Sequence, residues 1–367
     1  MDWIKIVIEY AFYLSALGLV IYYRFLFSKI LHYSPKKNST SPGISVVICA
    51  KNELSNLQRF LPLLLNQSYP TFEIIVVDDQ SNDGTMDFLQ ELSIIEKKIK
   101  PFLFTKNKKS RGKKDPLAYG IEQAKHEHLL LTDADCYPSS KYWIREMASG
   151  FTKGKEIVLG VGLYQKEKNL VAQFMRWDSL LVAIQYMSFA IAKKPYMSVG
   201  RNVAYTKSLY LKNNGFDAHA HISSGDDDLF IQAAATKTNT AIVFNQQGHT
   251  ISPAEKTWKA LIRQKSRHHT TATKYDKNTL LLLGLFQYLI WLFYTSFICG
   301  MIFIVEPYSL LTIFFLKNLV QASIFNRIFV KIGVREQLLP FLLFDGVWVL
   351  FLSFINLKNL FRKNTQW

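Results

Sequence analysis

Two aspartates one residue apart, Asp133 and Asp135, close the apolar run HLLLTDAD at 128–135. Carboxylates so spaced at the end of a strand offer hard oxygen ligands side by side, a donor set suited to Mg²⁺ or Mn²⁺ that must also bind diphosphate oxygens. A purely structural pair is the competing reading, because Asp-x-Asp is common. A second acidic group, Asp78 and Asp79, closes EIIVVDD at 73–79 and runs into Gln80, Ser81, Asn82, Asp83, Gly84 and Thr85. Carboxylates there can accept from a ribose hydroxyl or a base N–H. The same residues also suit an ordinary turn and helix cap. A third group, Gly225-Asp226-Asp227-Asp228-Leu229, sets three carboxylates in a row. Their repulsion calls for cations nearby or a raised pKa in at least one member, and a carboxylate poised beside a hydroxyl acts as a general base. Helix N-terminal charge is the simpler explanation, but it needs no cluster of three.

Cationic partners are available. The stretch KNKKSRGKK at 106–114 places Lys113 and Lys114 beside Gly112, where the backbone can approach a diphosphate closely. Gln264 and Arg267 stand three apart, on one face of the helical pattern WKALIRQKSRHH, within joint reach of a phosphate or sugar. A solvated loop and a juxtamembrane basic helix are the plain alternatives. Nucleic acid is disfavoured as a partner, since the interleaved aromatics of a stacking platform are missing.

These groups need a frame that brings strand ends together. The runs ISVVICA (44–50), EIIVVDD and HLLLTDAD alternate with helical patterns near 54–66 and 84–98. Continuous Val/Ile/Leu strands separated by helices imply an α/β fold with a mostly parallel sheet, whose ligands bind at the carboxyl ends of the strands. The 367 residues suffice for one such domain and accessory parts.

The remainder has membrane character. Hydrophobic residues reach 49% and aromatics 14%, more than a water-soluble domain needs. Residues 4–27 are long and apolar enough for one crossing, and Arg24, Lys29, Lys36 and Lys37 after them put the following domain on the cytoplasmic side. Residues 170–192 are apolar but broken by Arg176, Trp177, Asp178 and Gln185, which predicts an amphipathic helix lying in the interface. Three more apolar stretches follow near 279–305, 307–326 and 338–357; three crossings would strand Lys358, Arg362 and Lys363 on the outer side, so one stretch is expected at the interface. Asp345 and Lys317 inside these stretches must face other helices or water. The expected organisation is a transmembrane anchor over 1–31, an α/β domain over 44–270 and a membrane bundle over 279–358. Three cysteines in unlike contexts argue against a disulfide framework, and the net charge of +16 favours anionic partners.

In order, the segments CAKNE, VVDDQSNDGT, GKKDPL, LLLTDADC, VGRNVAYTK, GDDDL and QKSRH resemble the large inverting GT-A glycosyltransferase family that includes cellulose, chitin and hyaluronan synthases. The resemblance covers about residues 44–270. It implies that Asp78 and Asp79, with Glu53 beside them, bind uridine, that Lys113 and Lys114 contact the nucleotide, and that Asp133 and Asp135 hold Mg²⁺ or Mn²⁺ and the diphosphate. Asp226 or Asp227 becomes the base, with Asp226 selected by alignment on Leu229. Gln264 and Arg267 match the Gln-x-x-Arg-Trp motif of processive members, but His268 replaces its tryptophan. Gly200, Arg201 and Asn202 resemble the segment lining the acceptor site. The implied function is inverting transfer from a nucleotide sugar, a UDP-sugar first, to a lipid-linked or glycan acceptor at the cytoplasmic membrane face. A membrane-bound nucleotidyl- or phosphotransferase and a non-catalytic nucleotide-sugar-binding protein stay open as alternatives.

Overall fold

The fold is that of a computed structural model, which describes residues 2–36, 38, 40–105, 112–220, 222, 225–272, 274–303 and 305–360. Among these, ten strands form two sheets: β1 (Ile44–Ala50), β2 (Phe72–Asp78), β3 (Ile99–Leu103), β4 (His128–Leu131), β5 (Tyr137–Pro138), β6 (Ile157–Leu159), β7 (Gly162–Tyr164), β8 (Val203–Thr206), β9 (Thr240–Ile242) and β10 (Thr250–Ser252). The larger sheet has the order β3-β2-β1-β4-β8-β6-β9 and the smaller β5-β10-β7. In the larger sheet only β8 runs against its neighbours; β3, β2, β1, β4, β6 and β9 share one direction. The apolar runs that signal strands in the sequence are the central ones, and Val46, Val47, Ile74, Ile75 and Leu129 are wholly buried there. Six strands in one direction deliver six carboxyl ends to one edge.

The helices Leu54–Leu65 and Thr85–Ile95 follow β1 and β2 as expected, and the helix Lys114–Gln123 packs across the opposite face. Its approach is close at Gly120, where a β-carbon would lie 2.8 Å from Val77 Cγ2 and 2.9 Å from Val47 Cγ1. Both valines are buried strand residues with little rotamer freedom. This contact sets where the helix, and Lys113 just before it, stands relative to the ends of β1 and β2.

The helix Leu170–Ile191 departs from expectation. It is not an amphipathic helix at the interface: seventeen of its 22 residues are buried, and it lies inside the molecule between the sheet and the apolar helices. Its polar residues are internal joints. Asp178 pairs with Lys265 and accepts from Trp348 Nε1 at 2.9 Å, while Arg176 pairs with Glu336 at 3.0 Å. Pairing and hydrogen bonds offset the desolvation cost of these buried charges.

Three helices among the described residues are long and apolar enough to cross a membrane: Trp3–His32, Lys277–Ile302 and Pro307–Ile332. Phe12 stacks on Phe293 and the Tyr22 hydroxyl donates to Leu282 O, so the first two run antiparallel. Lys331 donates to Leu31 O and Tyr33 O, whereas Tyr13 donates to Ser309 at the other end. Arg24, Lys29, Lys277 and Lys331 therefore gather at the end adjoining the sheet, and Glu306 lies at the far end. The stretch Leu338–Leu360 does not continue straight; it bends by 63° between Phe341 and Leu343. After the bend Trp348 meets Asp178 and Phe351 packs on Phe174 and Trp258, which turns this arm along the α/β domain. Taken together, the two halves of this bent stretch are also long and apolar enough to form a fourth span; Arg362 and Lys363 lie outside the described residues. Asp345 pairs with Lys317 at 3.4 Å and accepts from Tyr294 at 3.0 Å, facing neighbouring helices as the cost of buried charge requires.

Gly120→Val should force the helix Lys114–Gln123 off the sheet. Overpacking of this kind costs about 1–3 kcal/mol. Thermal unfolding of the detergent-solubilised chain should show the loss as a lower melting temperature.

Candidate active site

The loops after β1 and β2 are tied to one another by side chains meeting backbone. Ser81 Oγ accepts from Asn52 N at 2.8 Å, Asn52 Oδ1 accepts from Asn82 N at 2.9 Å, and Asp83 Oδ2 accepts from Leu54 N at 3.0 Å. Asn52 and Gln80 hold positive φ of 57° and 56° to make these turns. Asp83 also accepts from Thr85 Oγ1 and N, which draws its carboxyl below the ordinary value. Asp83 is thus a loop-building residue. Asp78 is buried and accepts from the Ser81 hydroxyl and N–H. Asp79 stands at the mouth beside Lys51, 3.5 Å away. Glu53 accepts from Asn56 at 2.6 Å, and burial followed by the nearby carboxylates raises its pKa.

Asp133 and Asp135 follow β4. One ligand atom each from Asp133, Asp135 and Cys136 lies within 4.8 Å of the others, a spacing that can hold a metal ion. Two hard carboxylate oxygens fit Mg²⁺ or Mn²⁺. The Cys136 thiol sits against Asp135 and Ser252 Oγ, and burial pushes its pKa well up. Burial also opposes ionisation of Asp133, but the Lys113 ammonium outweighs it and holds that carboxyl below the usual range. Among the described residues Asp135 makes no such ion pair; burial and the charge of Asp133 push it up.

The acidic triplet resolves into three different positions. Gly225 turns the chain at φ +91°, and a β-carbon there would lie 2.6 Å from Leu229 Cδ1. Asp226 then faces Lys113, with Oδ2 3.7 Å from Nζ. Asp227 turns inward, where its two oxygens accept from Gly200 N at 2.7 Å and Asp228 N at 2.8 Å. Burial first, then the neighbouring Asp228 and Asp226, push Asp227 up to about 8. Asp228 accepts from the Tyr275 hydroxyl at 2.9 Å and from the backbone of Leu229.

Lys113 is the meeting point. Its ammonium contacts Asp133 and Asp226 at once, which brings the carboxyl end of β4 and the triplet into one cleft. Lys114, its neighbour in the sequence, is completely buried and donates to His219 O and Ile222 O at 2.8 Å each. That geometry makes Lys114 an anchor for the segment leading to the triplet, contrary to the expectation that it meets nucleotide. Lys106 to Arg111 lie outside the described residues.

Gly200, Arg201 and Asn202 lie beside this cleft in different roles. Gly200 supplies the N–H that holds Asp227. Arg201 lays its guanidinium over the Tyr164 ring, 4.1 Å from the centroid, and donates to Gly162 O. Asn202 does not line an acceptor site: it is wholly buried, donates to Val161 O and Gly248 O, and accepts from Trp143 Nε1. Its amide is used up in holding β7 and the loop before β10 to the larger sheet. Gln264 donates to the Tyr164 hydroxyl at 3.2 Å, and the positive charge of Arg267, one turn on, acts on Asp133. The side chain of His268 lies outside the described residues.

Tyr164 and Tyr275 escape a sequence reading. Tyr164 joins Arg201 to Gln264, and Tyr275 holds Asp228; neither belongs to a motif, and only the tertiary fold reveals them.

The family model described as Glycosyl transferase family 2 matches residues 45–212. Glycosyltransferase AglE of Haloferax volcanii is 27% identical over 195 residues, 52% of this chain and 60% of that protein. Poly-beta-1,6-N-acetyl-D-glucosamine synthase of Staphylococcus epidermidis is 34% identical over 119 residues, 31% of this chain and 28% of that one. The chain thus spans less than two thirds of either relative's length. Among solved structures, mannosyltransferase PcManGT from Pyrobaculum calidifontis, in complex with GDP-Man and Mn²⁺, aligns over 98% of this chain and 99% of that chain, with a TM-score of 0.60 at 16% identity. At that identity the likeness is one of fold.

The position of Asp227 has a pH signature. Its folded-state pKa lies above the ordinary 3.8, so its contribution to stability is complete below that value and is lost as pH rises to about 8. The melting temperature of the wild type should therefore fall relative to Asp227→Asn across that window. Parallel curves for the two proteins would contradict the assignment.

Proposed function

The chain belongs to glycosyl transferase family 2 through residues 45–212, and from that premise we propose that it transfers a sugar from a nucleotide diphosphate donor to an acceptor at the membrane surface, inverting the anomeric carbon. The observation that carries this reading is the single ammonium shared by Asp133 and Asp226, which makes a diphosphate site and a base parts of one cleft.

In this reading Asp78 and Asp79, with Glu53, receive the nucleoside at the ends of β1 and β2. Lys113, Gln264 and Arg267 meet the diphosphate. Asp133 and Asp135 would hold Mg²⁺ or Mn²⁺, which would supply positive charge to the departing nucleotide diphosphate. Asp226 is the member of the triplet that faces the cleft to act as base, since Asp227 is committed to backbone N–H groups and Asp228 to Tyr275. Asp226 takes the proton of an acceptor hydroxyl as that oxygen bonds to the anomeric carbon and the bond from that carbon to the diphosphate oxygen breaks. Arg201 and Gly200 border the acceptor side.

A UDP-sugar is the first donor to test. The GDP-Man complex of PcManGT makes GDP-sugars the second. The apolar helices support a membrane-embedded protein, and the basic residues gathered beside the sheet support a cytoplasmic catalytic domain. A lipid-linked or growing-glycan acceptor suits a cleft built this close to the bilayer.

Membranes containing the chain, given Mn²⁺ and radiolabelled UDP- or GDP-sugars, should yield labelled lipid or glycan. Asp226→Asn should lower transfer roughly 10²–10⁴-fold, the usual worth of a general base. Asp135→Ala should abolish the metal dependence. Undiminished transfer by the Asp226 variant would remove it from the mechanism.

A further inference from the structure

Lys113 does more in this geometry than wait for a phosphate. Its ammonium contacts Asp133 and stands 3.7 Å from Asp226, so one positive charge serves the pair assigned to the metal and the residue assigned as base. The two neighbouring lysines are held very differently. Lys114 is wholly buried and fixed on two backbone carbonyls, which locks the start of the helix Lys114–Gln123. Lys113 precedes that fixed point, follows Gly112 in the left-handed region at φ +71°, and keeps 38% of its side chain exposed. The backbone is anchored while the side chain has room to swing.

We infer that Lys113 is a displaceable internal cation, which bridges Asp133 and Asp226 until a nucleotide diphosphate and its metal arrive, and which thereby holds the base in an ion pair while no donor is present. The inference rests on the reading of the cleft given under Proposed function. An Asp133 oxygen that accepts the ammonium is not available to a divalent cation, and two cations at one carboxylate repel. A diphosphate brings charge that a lysine can follow. Lys113 then exchanges its carboxylates for phosphate oxygens, Asp133 becomes free to ligate, and Asp226 becomes free to accept a proton from an acceptor hydroxyl. Metal and nucleotide should consequently bind with positive coupling, each raising the other's affinity by the same factor. A lysine fixed on these carboxylates would weaken Mn²⁺ binding equally with and without nucleotide, so the advantage of a neutral side chain would persist when UDP is bound.

Mn²⁺ titration of the full chain in detergent, followed by electron paramagnetic resonance with and without UDP, separates the two cases. Without nucleotide, Lys113→Gln should bind Mn²⁺ at least about five-fold more tightly than wild type, the lower end of typical couplings. UDP should then tighten Mn²⁺ binding by a smaller factor than in wild type, and Lys113→Arg, which keeps the charge, should behave like wild type. Unchanged or weaker Mn²⁺ binding by Lys113→Gln would overturn the inference. Should Lys113→Gln not fold, amine-reactive labelling of wild-type Lys113 serves: Mn²⁺ alone should raise its reactivity and Mn²⁺ with UDP should lower it, and no change overturns the inference. Asp135→Ala identifies a failure at the earlier level. Mn²⁺ binding that survives this change removes the metal assignment itself, whereas its loss beside an unaltered Lys113→Gln removes only the role of Lys113.

Discussion

Repulsion among carboxylates is the constraint around which this molecule is organised. Asp79, Asp133, Asp135 and Asp226 to Asp228 come from three distant parts of the chain and converge at one edge of the larger sheet. Each is made tolerable in its own way. Asp133 and Asp226 share the Lys113 ammonium, Asp227 is surrounded by N–H donors with its carboxyl pushed up to about 8, and Asp228 leans on Tyr275. Asp135 makes no such direct ion pair among the described residues, and its raised pKa reflects burial beside Asp133. A site that concentrates negative charge in this manner is suited to a cation and to the anionic group that comes with it.

Convergence of this kind needs a frame that does not yield. Six strands in one direction bring the loops to a common edge, and side chains that meet backbone stitch those loops together, as Ser81, Asn52 and Asp83 do between the ends of β1 and β2. Behind the cleft the helix Leu170–Ile191 joins the sheet to the apolar helices. Asp178 links Lys265, on the helix that also carries Gln264 and Arg267, to Trp348 on the bent arm Leu338–Leu360. Arg176 likewise links Glu336 to Tyr164 O, and the Tyr164 hydroxyl in turn receives Gln264. The apolar helices are therefore built into the positioning of the cleft.

Much of this could be read from residues alone. The runs around Val46, Ile75 and Leu130 declare buried parallel strands because both faces are apolar, and the acidic residues at their ends follow from where such sheets bind ligands. What escaped has a common cause: meaning supplied by partners far away in the chain. Arg176, Asp178 and Gln185 made residues 170–192 look half-solvated, whereas Glu336, Lys265 and Trp348 let the first two be buried. Lys114 and Asn202 belong to the right segments, but their polar atoms are consumed by backbone groups that sequence order does not bring near. The edge strand β3, with Lys100 and Pro101 inside it, lacks the apolar alternation that marks a strand.

The most direct measurement is a crystal or cryo-electron microscopy structure of the full chain with Mn²⁺ and an unreactive analogue of its nucleotide sugar. Mn²⁺ should lie on Asp133 and Asp135, the diphosphate beside Lys113, and Asp226 should face the anomeric carbon from the side opposite the diphosphate. Mn²⁺ bound away from Asp133 and Asp135, or Asp226 turned away from the sugar, would contradict this arrangement.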